Sequence, residues 1–428
     1  MVEEILASSR AAVRTAPAPC APQYADLCEA VEEHLGRERK AILDANAMDV
    51  ASMRDAAMPE ALVDRIRLDD RRFDDLRRFI DGVRTALAEL ASLAEPVREV
   101  GDMRVRRIRK PLGVVLMIYE ARPTVTVEGA LMTVAAGNSV ILRGGREIAK
   151  TNDVLATVLH SALCQANLNP DLVHVVHNPD RAVLRAMLKR HDAIDVLIPR
   201  GSPSLVEFCR SASDIPVIAS GGGVNHLYVH RSGDPAFAAV TVLDSKLPEP
   251  TACNTVETVL CDADVFPALL EAVRAAAVRD GRPCTLLVPE SFVERDTGTV
   301  TMRKLSDQDS GREFLDRTFA LRPVTGLDAA VEFIQTHGSR HTEGICATDP
   351  AAVARFCERV DAAAVVVNGS LRLHDGPTMG LGPEASIGTG RLHVRGPVDL
   401  SALTTFGWII DANRTLRGGL RPSPEVSD

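Results

Sequence analysis

Aromatic side chains are scarce in this chain: they make up 4% of it, with a single Trp and three Tyr. A surface that stacks nucleobases needs a row of such rings, so nucleic acid is not an expected partner. Positive charge is also short. Lys and Arg number 49 against 58 Asp and Glu, a net charge of −9, whereas a polynucleotide or an anionic membrane recruits proteins through a basic field. Long apolar runs are missing. A stretch such as "GVVLMIY" at 113–119 has the length of a strand and falls far below the roughly 20 residues of a spanning helix. The opening "MVEEILASSR" is acidic and lacks the apolar core and small-residue cleavage site of a secretory signal. No membrane association and a cytoplasmic location are expected. The nine cysteines include no C-x-x-C pair and are odd in number, which excludes a disulfide frame. His226, His374 and His393 are scattered, and no metal is expected.

What is present suits a globular protein of several domains. The 428 residues are 46% apolar and 25% charged, enough for two or three separate cores. Residues 24–94 carry apolar positions at helical spacing with charge on the opposite face. "VREVGDMRVRRIRK" from 97 alternates like a hairpin turning at Gly101-Asp102. Short β-rich runs then alternate with helical ones: "GVVLMIY", a helix from 124, "SVILR", a helix from 147, "LVHVV", a helix from 179, "IDVLIP", a helix from 202, and "IPVIA". That alternation predicts βαβ units and a parallel sheet covered on both faces. A second α/β set runs from "HLYVH" near 226 to "AAAVVVN" near 366, and the tail closes on a strand, "LTTFGWII". An unpaired terminal strand needs a cover.

Three Gly-rich loops stand out: "LRGGRE" (142–147), "PRGSPS" (199–204) and "ASGGGVNH" (219–226). Glycine lets backbone approach phosphate oxygens closely, and Arg143 and Arg200 can pair with those oxygens. Taken singly each reads as a turn; three at successive strand ends read as ligand loops of an open parallel sheet. None matches G-x-G-x-x-G, so the ordinary dinucleotide fingerprint is absent. In "PEPTACNTVETVLCD" (249–263), Cys253 precedes an apolar alternation instead of lying within it, as a reactive thiol would. Cys28, Cys164, Cys209 and Cys357 fall in helical patterns and are expected to be small core residues, with Cys261 also facing the core.

The stretches "KPLGVVLMIYEARPTVTVEGAL", "AAGNSVILRGGREIAKTN", "VLIPRGS", "CNTVETVLCD", "VDAAAVVVNGS" and "LHVRGPVDLSALTTFGWII" together resemble the gamma-glutamyl phosphate reductases (glutamate-5-semialdehyde dehydrogenases) of the aldehyde dehydrogenase superfamily. The resemblance runs in order from about residue 24 to about 412. It implies an α/β, aldehyde dehydrogenase-like fold: a Rossmann-like NADPH-binding domain (1–96 and 111–225), an α/β catalytic domain (226–367), and a small β oligomerisation arm with the tail (97–110 and 385–428). The arm would cover "LTTFGWII" and make the protein a homo-oligomer. Cys253 matches the family nucleophile. Arg143, Gly144 and Gly145, Pro199, Arg200, Gly201 and Ser202, and Gly221 and Gly222 match cofactor loops, and Glu313 stands where the superfamily places a carboxylate on the nicotinamide ribose. Glu120 and Arg122 of "EARP" are expected on the substrate side; His393 and Arg395 of "LHVRGP" serve substrate binding or subunit packing.

The chemistry can be argued from the residues alone. Reduction of an acyl phosphate needs a nucleophile that displaces phosphate and leaves a thioester able to accept hydride, and a thiolate does both. Backbone amides near Cys253 would hold the oxyanion; Asn254 is the candidate, and it equally suits a turn. Aldehyde-oxidising relatives activate water with the carboxylate of a Glu-Leu-Gly-Gly segment, and "ASGGGVNH" has none, which favours reduction. The chain departs from the family pattern in places: Thr124 follows "EARP" where Asn is usual, N-A-S-T-R-F-T-D-G reads "NGSLRLHDG" (368–376), G-A-E reads Gly382-Pro383-Glu384, and 292–312 is short and lacks a Trp. The expected function is therefore NADPH-dependent reduction of gamma-glutamyl phosphate in proline biosynthesis. The alternatives are a paralogue acting on a related amino-acyl phosphate, or another thiol-dependent aldehyde dehydrogenase. A non-catalytic partner of an amino-acid kinase is the third reading. For the enzyme, transient contact with such a kinase is a further expectation.

Overall fold

The computed structural model describes residues 2–417 apart from 94, 95, 179, 295 and 297. The chain divides into two compact units, residues 1–197 with 213–216 and 399–428, and residues 198–212 with 217–398.

In the first unit the strand Val114–Tyr119 is buried at all six residues, the signature of a parallel strand covered on both faces. It pairs in parallel with Ser139–Arg143, which pairs with Val173–Val175. The sheet order is Val173–Val175, Ser139–Arg143, Val114–Tyr119, Val196–Arg200, and the last strand carries the chain into the second unit. The helical reading of 24–94 resolves into Gln23–Arg37, Arg39–Asp55, Glu60–Ile66 and Asp70–Ser92. Asp69 starts the last of these, its side chain accepting from the Arg72 amide, a cap worth about 1 kcal/mol. The hairpin forms as expected, with Arg98–Val100 paired antiparallel to Met103–Pro111. The tail strand Thr404–Asp411 adds to the other edge, Thr404 opposite Pro111 and Asp411 opposite Arg104.

The second unit holds seven parallel strands in the order Val300–Lys304, Cys284–Val288, Thr318–Val324, Val256–Asp262, Asn225–Val229, Thr342–Cys346, Ala364–Val367. Helix Phe266–Asp280 buries Phe266, Leu269, Leu270, Val273, Ala276 and Ala277 on one stripe, each large side chain contributing roughly 1.5–3 kcal/mol. With Pro235–Asp244 it covers one face, while Leu327–His337 and Pro350–Arg359 cover the other. Helices Pro235–Asp244 and Pro350–Arg359 begin alike, an Asp capping the next-but-one amide and a Pro in the first turn, where its missing N–H costs nothing.

Three sequence expectations change. "IPVIA" forms no strand beyond a single bridge at Val217: Pro216 has no amide to give a ladder and contributes only its carbonyl, to Leu197. The loop 219–224 therefore leads into a strand instead of following one. Cys28, Cys209 and Cys261 are buried as expected, but Cys164 and Cys357 are exposed, both near the ends of their helices.

Candidate active site

Parallel strands bring the segments that precede them to one edge. Asn225 stands opposite Val256, so the glycine loop before the first of these strands and the Cys253 loop before the second meet at the amino-terminal edge of the sheet. The segment containing Glu313 enters the next strand over, Thr318–Val324, from the same edge.

The fit between the two loops is close. Asn225 Nδ2 donates to the Cys253 carbonyl at 2.8 Å and to the Thr255 carbonyl at 2.7 Å. A Cβ at Gly223 would lie 1.5 Å from the Cys253 carbonyl oxygen, and one at Gly222 would lie 2.5 Å from Glu313 Oε2. Glu313 Oε1 accepts from the Gly223 amide at 2.7 Å. Gly223 is therefore demanded by backbone approach, which no other residue permits. The sequence-predicted Cys253, Gly222 and Glu313 thus converge, and Pro203, which opens the helix after Ser202, lies 3.1 Å from the same Gly222 position.

Burial pushes the Cys253 thiol up; Arg200 and Arg372 pull it down, and Glu384 raises it further. Arg200 donates to the Ala385 carbonyl, next to Glu384. Glu384 itself is pushed up to about 7, chiefly by burial, against a hydrogen bond from the Gly376 amide at 3.1 Å. Sequence reasoning saw no carboxyl in the glycine loop; this one arrives from the Gly382-Pro383-Glu384 stretch, and nothing local in the sequence pointed to it. The Asn254 side chain is committed to structure: Nδ2 donates to the His374 carbonyl at 3.0 Å and Oδ1 accepts from Arg372. Ser202 Oγ bonds Ser204 Oγ at 3.0 Å and accepts from the Leu205 amide at 3.4 Å.

A second group was also missed. Lys246 and Glu257 are fully buried, Nζ to Oε2 at 2.8 Å, and the Phe314 amide donates to the same carboxylate oxygen at 3.1 Å. Burial raises Glu257 to about 7 and lowers Lys246, each opposed by its partner. The pair closes the base of the loop that carries Cys253 and ties in the residue after Glu313.

Arg395 pairs with Asp361 at 2.5 Å beside Arg391 at 2.6 Å, and the two guanidiniums lower Asp361 to about 2. His393 is exposed. In the first unit the predicted Glu120 and Arg122 flank Ala121, whose φ is 48° and whose amide donates to Glu147 Oε1 at 2.8 Å; "EARP" is thereby tied to "RGGRE". Gly144 is packed under Asn152, Ile148 and Tyr119, and a Cβ at Gly145 would meet Glu147 at 2.0 Å. The helix following Arg143 is capped by Asp49, whose Oδ2 accepts from the Thr151 amide at 2.8 Å. Among the described residues no group of three or more His, Cys, Asp and Glu is arranged to hold a metal, and no helix is long and apolar enough to cross a membrane.

Comparison with known proteins supplies the family. Residues 10–285 match the Aldehyde dehydrogenase family. Gamma-glutamyl phosphate reductases of Salmonella agona and Escherichia coli O157:H7 are 39% and 38% identical to this chain, each alignment covering 91% of it and 93% of the relative. The crystal structure of the Thermotoga maritima gamma-glutamyl phosphate reductase superposes with a TM-score of 0.87 at 30% identity, over 97% of this chain and 99% of that one. An acetylating aldehyde dehydrogenase from Geobacillus thermoglucosidasius shares the fold, with a TM-score of 0.70 at 18% identity over 99% of this chain and 97% of that one. On this likeness of sequence and aldehyde dehydrogenase-like α/β fold, the chain belongs to the gamma-glutamyl phosphate reductases of the aldehyde dehydrogenase family.

Proposed function

We propose that the chain reduces gamma-glutamyl phosphate to glutamate-5-semialdehyde and phosphate with NADPH, through a thioester on Cys253. Family membership makes it an oxidoreductase acting on aldehyde groups with a nicotinamide cofactor. The observation that carries the finer reading is the seating of Cys253 against Gly223 and Asn225 in a glycine loop without a carboxylate. The thiolate attacks the acyl carbon, the carbon–oxygen bond to phosphate breaks, and phosphate leaves with the electron pair. When bound, the nicotinamide supplies hydride to the thioester carbon. The carbon–sulfur bond of the resulting thiohemiacetal then breaks, freeing the aldehyde and returning the thiolate. Backbone amides beside Cys253, among them that of Asn254, hold the oxyanion. Because Glu384 raises the Cys253 thiol when ionised, its protonation near neutrality favours the thiolate.

The residues present fit the cofactor. Gly222 leaves no room for a side chain beside Glu313, so a ribose can approach that carboxylate; Pro199–Ser202 and Gly221 line the same loops. In the first unit, Gly144 and Gly145 bring backbone close to Arg143. Asp49 already caps the adjoining helix, so a phosphate there would rest on the Arg143 guanidinium. On the family resemblance, Glu120 and Arg122 of the first unit are proposed for the substrate side, and His393 and Arg395 of the second for substrate binding or subunit packing. The NADPH domain is placed at 1–96 and 111–225, the catalytic domain at 226–367 and the arm at 97–110 with 385–428, of which 418–428 lie outside the described residues; the compact units divide elsewhere, with 198–212 and 217–225 in the second unit and 97–110 and 399–428 in the first. Phe406, Trp408 and Ile410 are 52%, 55% and 60% exposed on the arm strand, apolar area that a homo-oligomer would cover. The setting is cytoplasmic, with an amino-acid kinase supplying the labile acyl phosphate.

The reverse reaction tests the reading. With glutamate-5-semialdehyde and NADP⁺ but no phosphate, the thioester should stall after at most one NADPH per site, and added phosphate should restore steady turnover. Sustained turnover without phosphate, with free carboxylic acid accumulating, would show a hydrolytic dehydrogenase and make Glu384 the first candidate for its water-activating base. Stronger phosphate-dependent turnover with another amino-acyl semialdehyde would favour a paralogue.

A further inference from the structure

We propose that Asn225, Thr342 and His374 are positioning residues for Cys253, joined with Asn254 in a closed ring of hydrogen bonds around the nucleophile. The ring can be followed bond by bond. Asn225 Nδ2 donates to the Cys253 carbonyl at 2.8 Å. Asn225 Oδ1 accepts from the Thr342 amide at 3.1 Å, and the Thr342 hydroxyl bonds His374 Nδ1 at 2.8 Å. The His374 carbonyl accepts from Asn254 Nδ2 at 3.0 Å, and the peptide bond from Asn254 back to Cys253 closes it. Asn225, Thr342, Asn254 and His374 are all buried, none more than 3% exposed, so each bond is made without competing water.

The Thr342 hydroxyl also meets His341 Nδ1 at 2.7 Å. With one proton to give, it donates to one imidazole and accepts from the other, which fixes opposite tautomers on the two rings. Burial pushes His374 down to about 4 and His341 to about 3, so the ring is uncharged at neutral pH. What ties the arrangement to the nucleophile is that its two ends hold the Cys253–Asn254 pair at two points, the carbonyl of Cys253 and the side chain of Asn254. His374 stands where the family pattern N-A-S-T-R-F-T-D-G has Thr, so this link is a departure from that pattern. The inference rests on Cys253 being the nucleophile, and it adds what holds that residue's peptide in register.

Thr342→Val keeps the shape and removes the hydroxyl; Thr342→Ser keeps the hydroxyl. Three measurements on the full chain separate the cases: reverse-reaction kcat and KM, the melting temperature, and the rate of Cys253 alkylation by iodoacetamide read by mass spectrometry. The exposed Cys164 and Cys357 serve as internal references. Misplacement of a reacting group by about 1 Å costs roughly 100-fold, so a shift of part of that costs on the order of 10-fold. Thr342→Val should lower kcat by about that factor with KM little changed, and should shift the Cys253 alkylation rate at least about threefold against the references. Thr342→Ser should rescue both. Unchanged kcat and alkylation in Thr342→Val would overturn the proposal, as would equal losses in Val and Ser variants or losses that merely follow a lowered melting temperature. Cys253→Ser distinguishes failure of the underlying reading: retained turnover in that variant removes the nucleophile assignment itself.

Discussion

Replacing Lys246 by Met should damage the second unit more than any surface charge change. Lys246 and Glu257 are fully buried at 2.8 Å, and Glu257 also receives the Phe314 amide. Without the cation that holds it down, Glu257 must either stay charged in an apolar setting or take up a proton, and breaking one partner of a buried pair costs about 3–5 kcal/mol. The second unit contains about 200 residues; at that size each kcal/mol moves a melting temperature by roughly 2–4 °C, so its transition should fall by roughly 6–20 °C. The loss should depend on pH with a definite sign. Glu257 is raised from 4.5 to about 7 in the folded chain, so the folded state holds its proton more tightly and loses stability as pH rises between those values. In the Lys246→Met variant the deficit should therefore shrink at low pH, where a neutral Glu257 needs no partner. Lys246→Met/Glu257→Met discriminates further, since an apolar replacement of both ions removes both desolvation costs and should recover at least half of the loss. Calorimetry of Lys246→Met, Glu257→Met and the double variant measures this. A single-variant cost below about 1 kcal/mol, or a double variant as unstable as Lys246→Met, would refute the assignment of the pair as the anchor of the Cys253 loop.

Glu384→Gln should move the alkylation profile of Cys253 to lower pH, because the ionised carboxylate that raises the thiol is gone; an unchanged profile would separate the two groups. Arg143→Ala should weaken NADPH while leaving kcat nearly unchanged, since a phosphate contact is equal in ground and transition states; fluorescence titration showing unaltered affinity rejects that cofactor loop. Arg200→Ala should both weaken NADPH and raise the Cys253 thiol, because the guanidinium lowers it. Trp408→Glu should shift the protein to smaller species in sedimentation, and an unchanged mass would show that this face is not the interface.

The readable parts of the fold were those in which local pattern and burial agree. Val114–Tyr119 is a continuous apolar run because both faces are covered, and the hairpin at Gly101 announces itself by alternation and a turn residue. Val300–Lys304 and Thr318–Val324 escaped because charged residues and Pro323 break their apolar runs. The Lys246–Glu257 pair was invisible for a related reason: charged side chains are ordinarily surface residues, and only the fold shows that these two face each other in a dry interior. Cys253 could be found from its place before a strand. Glu384 could not, since its closeness to Cys253 depends on chain returning over more than a hundred residues.

The glycine loop before Asn225 also sets how far this scaffold stands, in mutational steps, from an enzyme that hands its acyl group to water. A side chain at 223 would overlap the Cys253 carbonyl, and one at 222 would strike Glu313, whereas a Cβ at 221 meets nothing nearer than the Thr389 hydroxyl at 3.4 Å. Among the three glycines, selection for hydrolysis thus has one tolerant doorway, at 221. A library of acidic substitutions at the three positions should return folded protein from 221 and collapsed or inactive protein from its neighbours, and well-folded variants at 223 would show that the loop is freer to evolve than its packing implies.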